Sequence, residues 1–316
     1  MSMQKSAKKI VSTCMNIQEN EKVLIVTDTE TFEIARAVFD AASSISKNTA
    51  LLLMNRTNRH AEEPPSIVSE KMLGNDVIIA PTRYSLTHTS AREKATEQGA
   101  RIATMPGVTK NMMQKGAINA DFAKVQSLTF KVSRLLEKAK KARIISEIGT
   151  DITMSIEGRS PISDTGIFHN RGDFGNLPAG ESFIAPVEGT ANGKLVIDGS
   201  MMDLLVKKPF TITVKDGTVT SIEGDRVAKA IESEIEKVGP LARNIAELGI
   251  GTNDKARLTG NVLEDEKIFG TVHVAIGNNA TFGGNVLVGL HFDGVMKNPT
   301  LYIDDKKILE NNEFIF

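Results

Sequence analysis

The sequence predicts an α/β fold in two parts: an N-terminal doubly wound parallel-sheet domain over residues 1–140 and a C-terminal, mostly antiparallel α+β domain over 141–316. Three observations carry this. The first 120 or so residues alternate short, continuously apolar runs with helical stretches, the pattern of buried parallel strands covered on both faces. Beyond about residue 143 the texture changes to alternating strands with little helix between them. At 316 residues the chain is also long enough for two cores of ordinary size.

In chain order, a first helix is expected over about Ser6 to Met15. Lys22-Val-Leu-Ile-Val26 is a strand, followed by a helix through about Ala42. Ala50–Met54, Asp76–Ala80 and Arg101–Met105 are the next strands, and a helix opening near Ser85 to His88 and running to about Gln98 precedes the last. A long helix from about Asp121 to Lys141 leads into the second part. Its basic ending, Lys138-Ala-Lys-Lys-Ala-Arg143, complements a helix C-terminus. Arg143–Ile148, Asp151–Ile156 and Ser182–Ala185 then read as strands. Pro209–Ile222 alternates around Asp216-Gly217, a strong hairpin signal. One amphipathic helix spans about Asp225 to Val238, stopped by Gly239-Pro240, and Thr300–Leu309 is a second hairpin.

The composition, 41% hydrophobic and 24% charged with a net charge of −1, is that of a water-soluble globular protein. Such balance gives no electrostatic footprint for nucleic acid, and no apolar run approaches the roughly 18 residues of a membrane span. One cysteine, Cys14, excludes an internal disulfide. With no signal-peptide pattern at the N-terminus, a cytoplasmic location is expected. Phosphate-cradling Gly-rich loops and a Gly-x-Ser-x-Gly elbow are absent.

The chemistry concentrates near the end. His291 and Asp293 sit two apart in His291-Phe292-Asp293-Gly294, so on a strand they project from one face. A second imidazole, His273, comes from the apolar Gly270–Gly277 segment, and only five histidines exist in the chain. Two imidazoles and a carboxylate form a metal-ligand set. Glu181 and Glu247 lie within otherwise apolar or Gly-rich segments, where an unpaired carboxylate is costly. Together the five residues suit a pair of divalent ions. Glu266, in Leu263-Glu-Asp-Glu-Lys267, reads as part of a solvated charged face, while His60 reads as solvent-facing and His169 as a surface loop histidine.

In these residues and their surroundings the chain resembles the aminopeptidase T/aminopeptidase S family, the M29 metallo-aminopeptidases. Tyr84–Arg92, Ala103–Gly107 and Thr150–Gly158 carry the resemblance along with the segments above. The resemblance implies a cytoplasmic, dimeric metalloprotease that removes N-terminal residues from short peptides. It places Glu181, Glu247, His273, His291 and Asp293 as ligands of two divalent ions (Zn, Co or Mn). In a two-metal mechanism Glu181, Glu247 or another acid such as Glu266 would handle the proton of the metal-activated water. Ala280 stands where better-known members carry a tyrosine.

Two other readings share the scaffold. His273, His291 and Asp293 alone form the two-His-one-carboxylate holder of a non-haem Fe(II). A ring-cleaving dioxygenase for hydroxypyridines resembles the same family in fold and in that triad. The second is an inactive or binding-only homologue, which Ala280 would suit.

Overall fold

A computed structural model describes residues 2–316. The chain forms two compact units: one runs through Gln126 and takes in Thr165–Ala179, and the other comprises Ser127–Asp164 and Gly180–Phe316.

In the first unit the apolar runs form β1 (Val23–Thr27), β2 (Thr49–Leu53), β3 (Val77–Thr82) and β4 (Arg101–Pro106). They pair in parallel in the order β2-β1-β3-β4. Every residue of β1 and β3 is buried, as central strands of a doubly covered sheet require. Helices α1 (Met3–Lys9), α2 (Phe32–Ser43), α3 (Ser66–Met72), α4 (Ser90–Glu97) and α5 (Lys110–Lys115) surround it. Val68 and Met72 of α3 and Ala91 and Ala95 of α4 pack with Val26, Ile78, Ala80 and Ile102 in one core. The first helix begins earlier than its pattern suggests and passes at Ile10–Cys14 into a wider turn. Cys14 is buried there, and burial pushes its thiol pKa up. α4 opens at Ser90, where the Thr89 side chain caps the Arg92 amide, so His88 lies outside the helix and exposed.

Helix α6 (Phe122–Glu137) carries the chain into the second unit. It stops short of the basic run, whose Lys141–Arg143 portion enters β5 (Lys141–Ile145) instead of closing a helix. The further strands are β6 (Asp151–Ser155), β7 (Ile162–Asp164), β9 (Glu181–Ile184), β10 (Asn192–Ile197), β11 (Ser200–Met201), β12 (Leu204–Leu205), β13 (Phe210–Lys215) and β14 (Thr218–Glu223). After α7 (Arg226–Val238) come β15 (Ile245–Gly251), α8 (Val262–Asp265), β16 (Val272–Gly277), β17 (His291–Met296), β18 (Thr300–Ile303), β19 (Lys306–Glu310) and β20 (Glu313–Phe314). The short β8 (Phe174–Asn176) belongs to the first unit, at the free edge of β4.

The second unit holds two antiparallel sheets, β14-β13-β10-β6-β5-β18-β19-β20 and β12-β11-β17-β16-β15-β9-β7. Asp216 and Gly217 both have positive φ, giving the tight turn that joins β13 to β14. Asp304 and Asp305 do the same between β18 and β19. One core takes Ile144, Ile152, Leu195 and Ile212 from the larger sheet and Leu248, Ile250, Val274 and Ile276 from the smaller. The alternation along β15 and β16 thus sends one set of side chains into this core and the other set to the opposite face of the seven-stranded sheet. Among the described residues, no helix is long and apolar enough to cross a membrane.

Candidate metal centre

The core-averse face of the seven-stranded sheet is where the acids and imidazoles meet, because strand register aligns them. His273 lies opposite Gly249 and Val295, Asp293 and Glu247 both lie opposite Ala275, and Glu181 lies opposite Gly251 on one side and Asp164 on the other. His291 faces Gly277. A period of two therefore puts Asp164, Glu181, Glu247, His273, His291 and Asp293 on one surface, with small residues between them. Gly249 has a specific duty. The His273 ring lies over it, and a Cβ there would overlap the imidazole.

The separations are those of a ligand cluster. His273 Nε2 is 3.2 Å from Glu247 Oε1 and 3.3 Å from Glu181 Oε2, while His291 Nε2 is 3.5 Å from Glu247 Oε2 and 3.3 Å from Asp293 Oδ1. Glu247, His273 and Asp293 offer ligand atoms all within 4.8 Å of one another, and so do Glu181, Glu266 and His273. The His291 Nδ1–H donates to the Asn278 carbonyl (2.8 Å), which aims Nε2 at the cluster. His273 Nδ1 is buried without a hydrogen-bond partner, so its ring is held by packing over Gly249 and by the contact of Nε2 with Glu247 Oε1.

Electrostatics favour a cation here. Burial opposes charge on the imidazoles, yet the surrounding carboxylates outweigh it: Glu247, Glu181 and Asp293 push His273 up to about 9, and Asp293 and Glu247 push His291 up to about 10. Burial would raise Asp293, but His291 and His273 hold it down at about 2. Glu247 is raised, by burial first and then by the Asp293 charge. Fields that bind protons this tightly on nitrogen lone pairs also suit a metal ion, which would take the protons' place. Glu181 Oε2, buried and accepting no hydrogen bond, is a further lone pair without a donor. The donor set of imidazole and carboxylate fits a divalent transition metal.

All five residues expected as ligands are thus brought together. Asp164 and Lys267 were missed, and Glu266 was misread. The 263–267 segment is no solvated face: Glu264, Asp265 and Lys267 are fully buried, with α8 forming a single turn capped by the Asn261 side chain. Lys267 Nζ lies 2.6 Å from Glu181 Oε1, contacts Glu266 Oε1, and is 3.7 Å from Asp164 Oδ2. Burial disfavours the ammonium, but Glu181, Glu266 and Asp164 raise its pKa well above the usual lysine value. Burial lifts Asp164 to about 7, with Lys267 pulling the other way, and lifts Glu266 well above the ordinary range. The only local signal was the apolar flank of Leu263, Ile268 and Phe269. His60 and His169 are exposed as expected; His60 accepts from the Ser85 amide and His169 pairs with the Thr13 carbonyl.

The profile of the 2,5-dihydroxypyridine 5,6-dioxygenase family matches residues 2–315. This chain belongs to that family. A 2,5-dihydroxypyridine 5,6-dioxygenase of Pseudomonas putida KT2440 is 24% identical over 189 residues, 55% of this chain and 54% of that protein, so the match spans about half the length of this curated relative. In fold, the chain superposes on the structure of 2,5-dihydroxypyridine dioxygenase from the same organism with a TM-score of 0.86 at 17% identity, covering 99% of this chain and 96% of that one. It also superposes on AmpT from Thermus thermophilus with a TM-score of 0.72 at 14% identity, covering 99% of each. Membership of the dioxygenase family corrects the aminopeptidase T reading, and with it the hydrolase, metalloprotease and peptide-cleaving activity drawn from the sequence. The shared fold explains the error: both kinds of protein superpose on this chain over nearly its whole length, so fold alone does not separate the two activities. The hydrolytic roles given to Glu181 and Glu247 fall with that reaction.

Proposed function

We propose that this member of the dioxygenase family is an Fe(II) enzyme that opens the ring of a hydroxylated pyridine, with His273, His291 and Asp293 holding the metal. The observation that carries the reading is the convergence of both imidazole Nε2 atoms and the Asp293 carboxylate on one sheet face, in a chain whose family profile is that of a dioxygenase. Three protein ligands of this kind leave positions open, and Fe(II) bound there supplies the activation of O₂.

The surrounding residues support an aromatic substrate. Phe183 shares the face of the ligands, opposite Gly249 in the sheet. Its ring meets Phe282 edge to face at 5.5 Å, and Phe282 meets the His291 imidazole in the same way at 5.8 Å. These partly buried rings form an apolar wall beside the metal ligands, a surface that favours flat rings through offset or edge contacts. Asn278 holds His291 from behind, so a ring resting on Phe282 meets an imidazole of fixed direction.

The test is oxygen uptake. Protein loaded anaerobically with Fe(II) and given 2,5-dihydroxypyridine under ¹⁸O₂ is expected to consume O₂ and the pyridine in equal amounts, with both labelled atoms in the ring-opened product. Absence of iron-dependent uptake with any dihydroxypyridine, in protein shown to hold iron, would sink the reading.

A further inference from the structure

Beside the proposed iron ligands lies a second acid cluster, and it already contains a cation. Lys267 is fully buried, reaching up from the segment after α8 to Glu181 Oε1 at 2.6 Å, to Glu266 Oε1, and to Asp164 Oδ2 at 3.7 Å. These carboxylates come from β7, β9 and the α8–β16 connection, so tertiary structure alone assembles them. Glu181 is the hinge between clusters. One of its oxygens takes the Lys267 ammonium, and the other lies 3.3 Å from His273 Nε2, buried and accepting no hydrogen bond.

We propose that the Lys267 ammonium stands in the place of a second metal ion and limits this centre to one. The inference rests on the reading of His273, His291 and Asp293 as the iron ligands. Three carboxylate oxygens around one point form the hard, all-oxygen environment that Mn(II), Mg(II) or Ca(II) takes. Here an ammonium fills that point and supplies the hydrogen-bond donors that the carboxylates need. A divalent ion entering the same space would meet a fixed positive charge within a few ångströms, in surroundings that screen it weakly. Glu181, free on its other oxygen, would bridge the two positions if the lysine were gone. The neighbouring Glu181, Glu266 and His273 ligand atoms already lie within 4.8 Å of one another. Lys267 is thus a positioning residue that decides metal number, with no contact to substrate assigned to it.

Mn(II) counting tests this. Metal-stripped wild-type protein and Lys267→Met are titrated with Mn(II), freed of unbound ion, and measured by elemental analysis and electron paramagnetic resonance. The wild type is expected to bind one ion with a six-line spectrum even in excess Mn(II). Lys267→Met is expected to bind two, with a spectrum broadened by coupling, and to return to one on adding Glu266→Gln and Asp164→Asn. Should Lys267→Met unfold when stripped, folding is expected to be restored by Mn(II) with two ions per chain. Two ions in the wild type, one ion in folded Lys267→Met, or no recovery of folding in Mn(II) overturns the inference. A wild type that binds none, beside a Lys267→Met that binds one, would instead remove the iron-ligand reading and keep the lysine's role.

Discussion

Two acid pockets share one face of the seven-stranded sheet and are neutralised in different ways. Around Lys267, Asp164, Glu181 and Glu266 surround a permanent ammonium delivered by the chain itself. Around His273 and His291, Glu247 and Asp293 surround two imidazoles that hold positive charge only by gaining a proton. The first pocket carries its own cation as the chain folds, whereas the second gains positive charge only from protons or an added ion. A protein can build a divalent-ion site and a lysine-closed acid pocket side by side on one sheet face, and the closed pocket sets how many ions that face holds.

The largest effect should come from removing ligands of the open pocket. His291→Ala and Asp293→Ala each leave two of the three proposed iron ligands. Metal affinity should fall by more than the ~10–100-fold that losing an outer-shell partner costs. Isothermal titration with Fe(II) or Mn(II) checks this, and unchanged affinity in either variant would end the distinction between the pockets. Next comes the closed pocket. Lys267→Met strips the cation from buried carboxylates, and in the absence of metal it should lose about 3–5 kcal/mol of stability. Urea unfolding of stripped protein reads this, and a loss below about 1 kcal/mol would mean that the ammonium is not the pocket's counter-charge.

Much of this arrangement was legible in the sequence, and the reason lies in period and burial. The continuous apolar runs announced the parallel sheet, and the His-x-Asp spacing placed two ligands on one strand face. Glu181 and Glu247 stood out as acids among apolar neighbours. Lys267 did not, because its partners Asp164 and Glu181 come from strands far along the chain, and a run of Glu, Asp, Glu and Lys looks locally like a wetted surface. That omission had a functional cost. With five ligands and no lysine, a dinuclear hydrolytic centre was the natural reading; the cation that argues for one ion is the residue the local pattern hid. The return of Thr165–Ala179 to the first unit was equally invisible, since a three-residue edge strand carries too little pattern to announce its partner.

Gly249 offers a finer cut between the pockets. A Cβ at this position would overlap the His273 ring, while Lys267 and its partners lie on other elements. Gly249→Ala should therefore turn His273 aside and weaken metal binding by about 10–100-fold, in the range of a lost orienting contact. Lys267 should remain engaged. A metal affinity equal to wild type would show that the ring has room to shift without leaving the ion.

The smallest effect separates the pockets by pH alone. In the metal-free protein His273 and His291 are raised to about 9 and about 10 from an ordinary value of 6.5. Groups raised on folding contribute stability that is fully present below the unfolded value and is lost as pH rises through the folded ones. The metal-free protein should therefore melt at progressively lower temperature from about pH 7 toward pH 10. A metal ion must displace the same protons, so its affinity should climb over that interval and release up to two protons per ion bound. Melting curves with and without Mn(II) should accordingly diverge as pH rises. The Lys267 pocket should add nothing to the divergence through lysine titration, because its ammonium is held well above the usual value and stays charged throughout. Curves that run parallel across the interval would mean that the imidazoles are not where the ion binds, and the contrast between a proton-balanced and a lysine-balanced pocket would lose its basis.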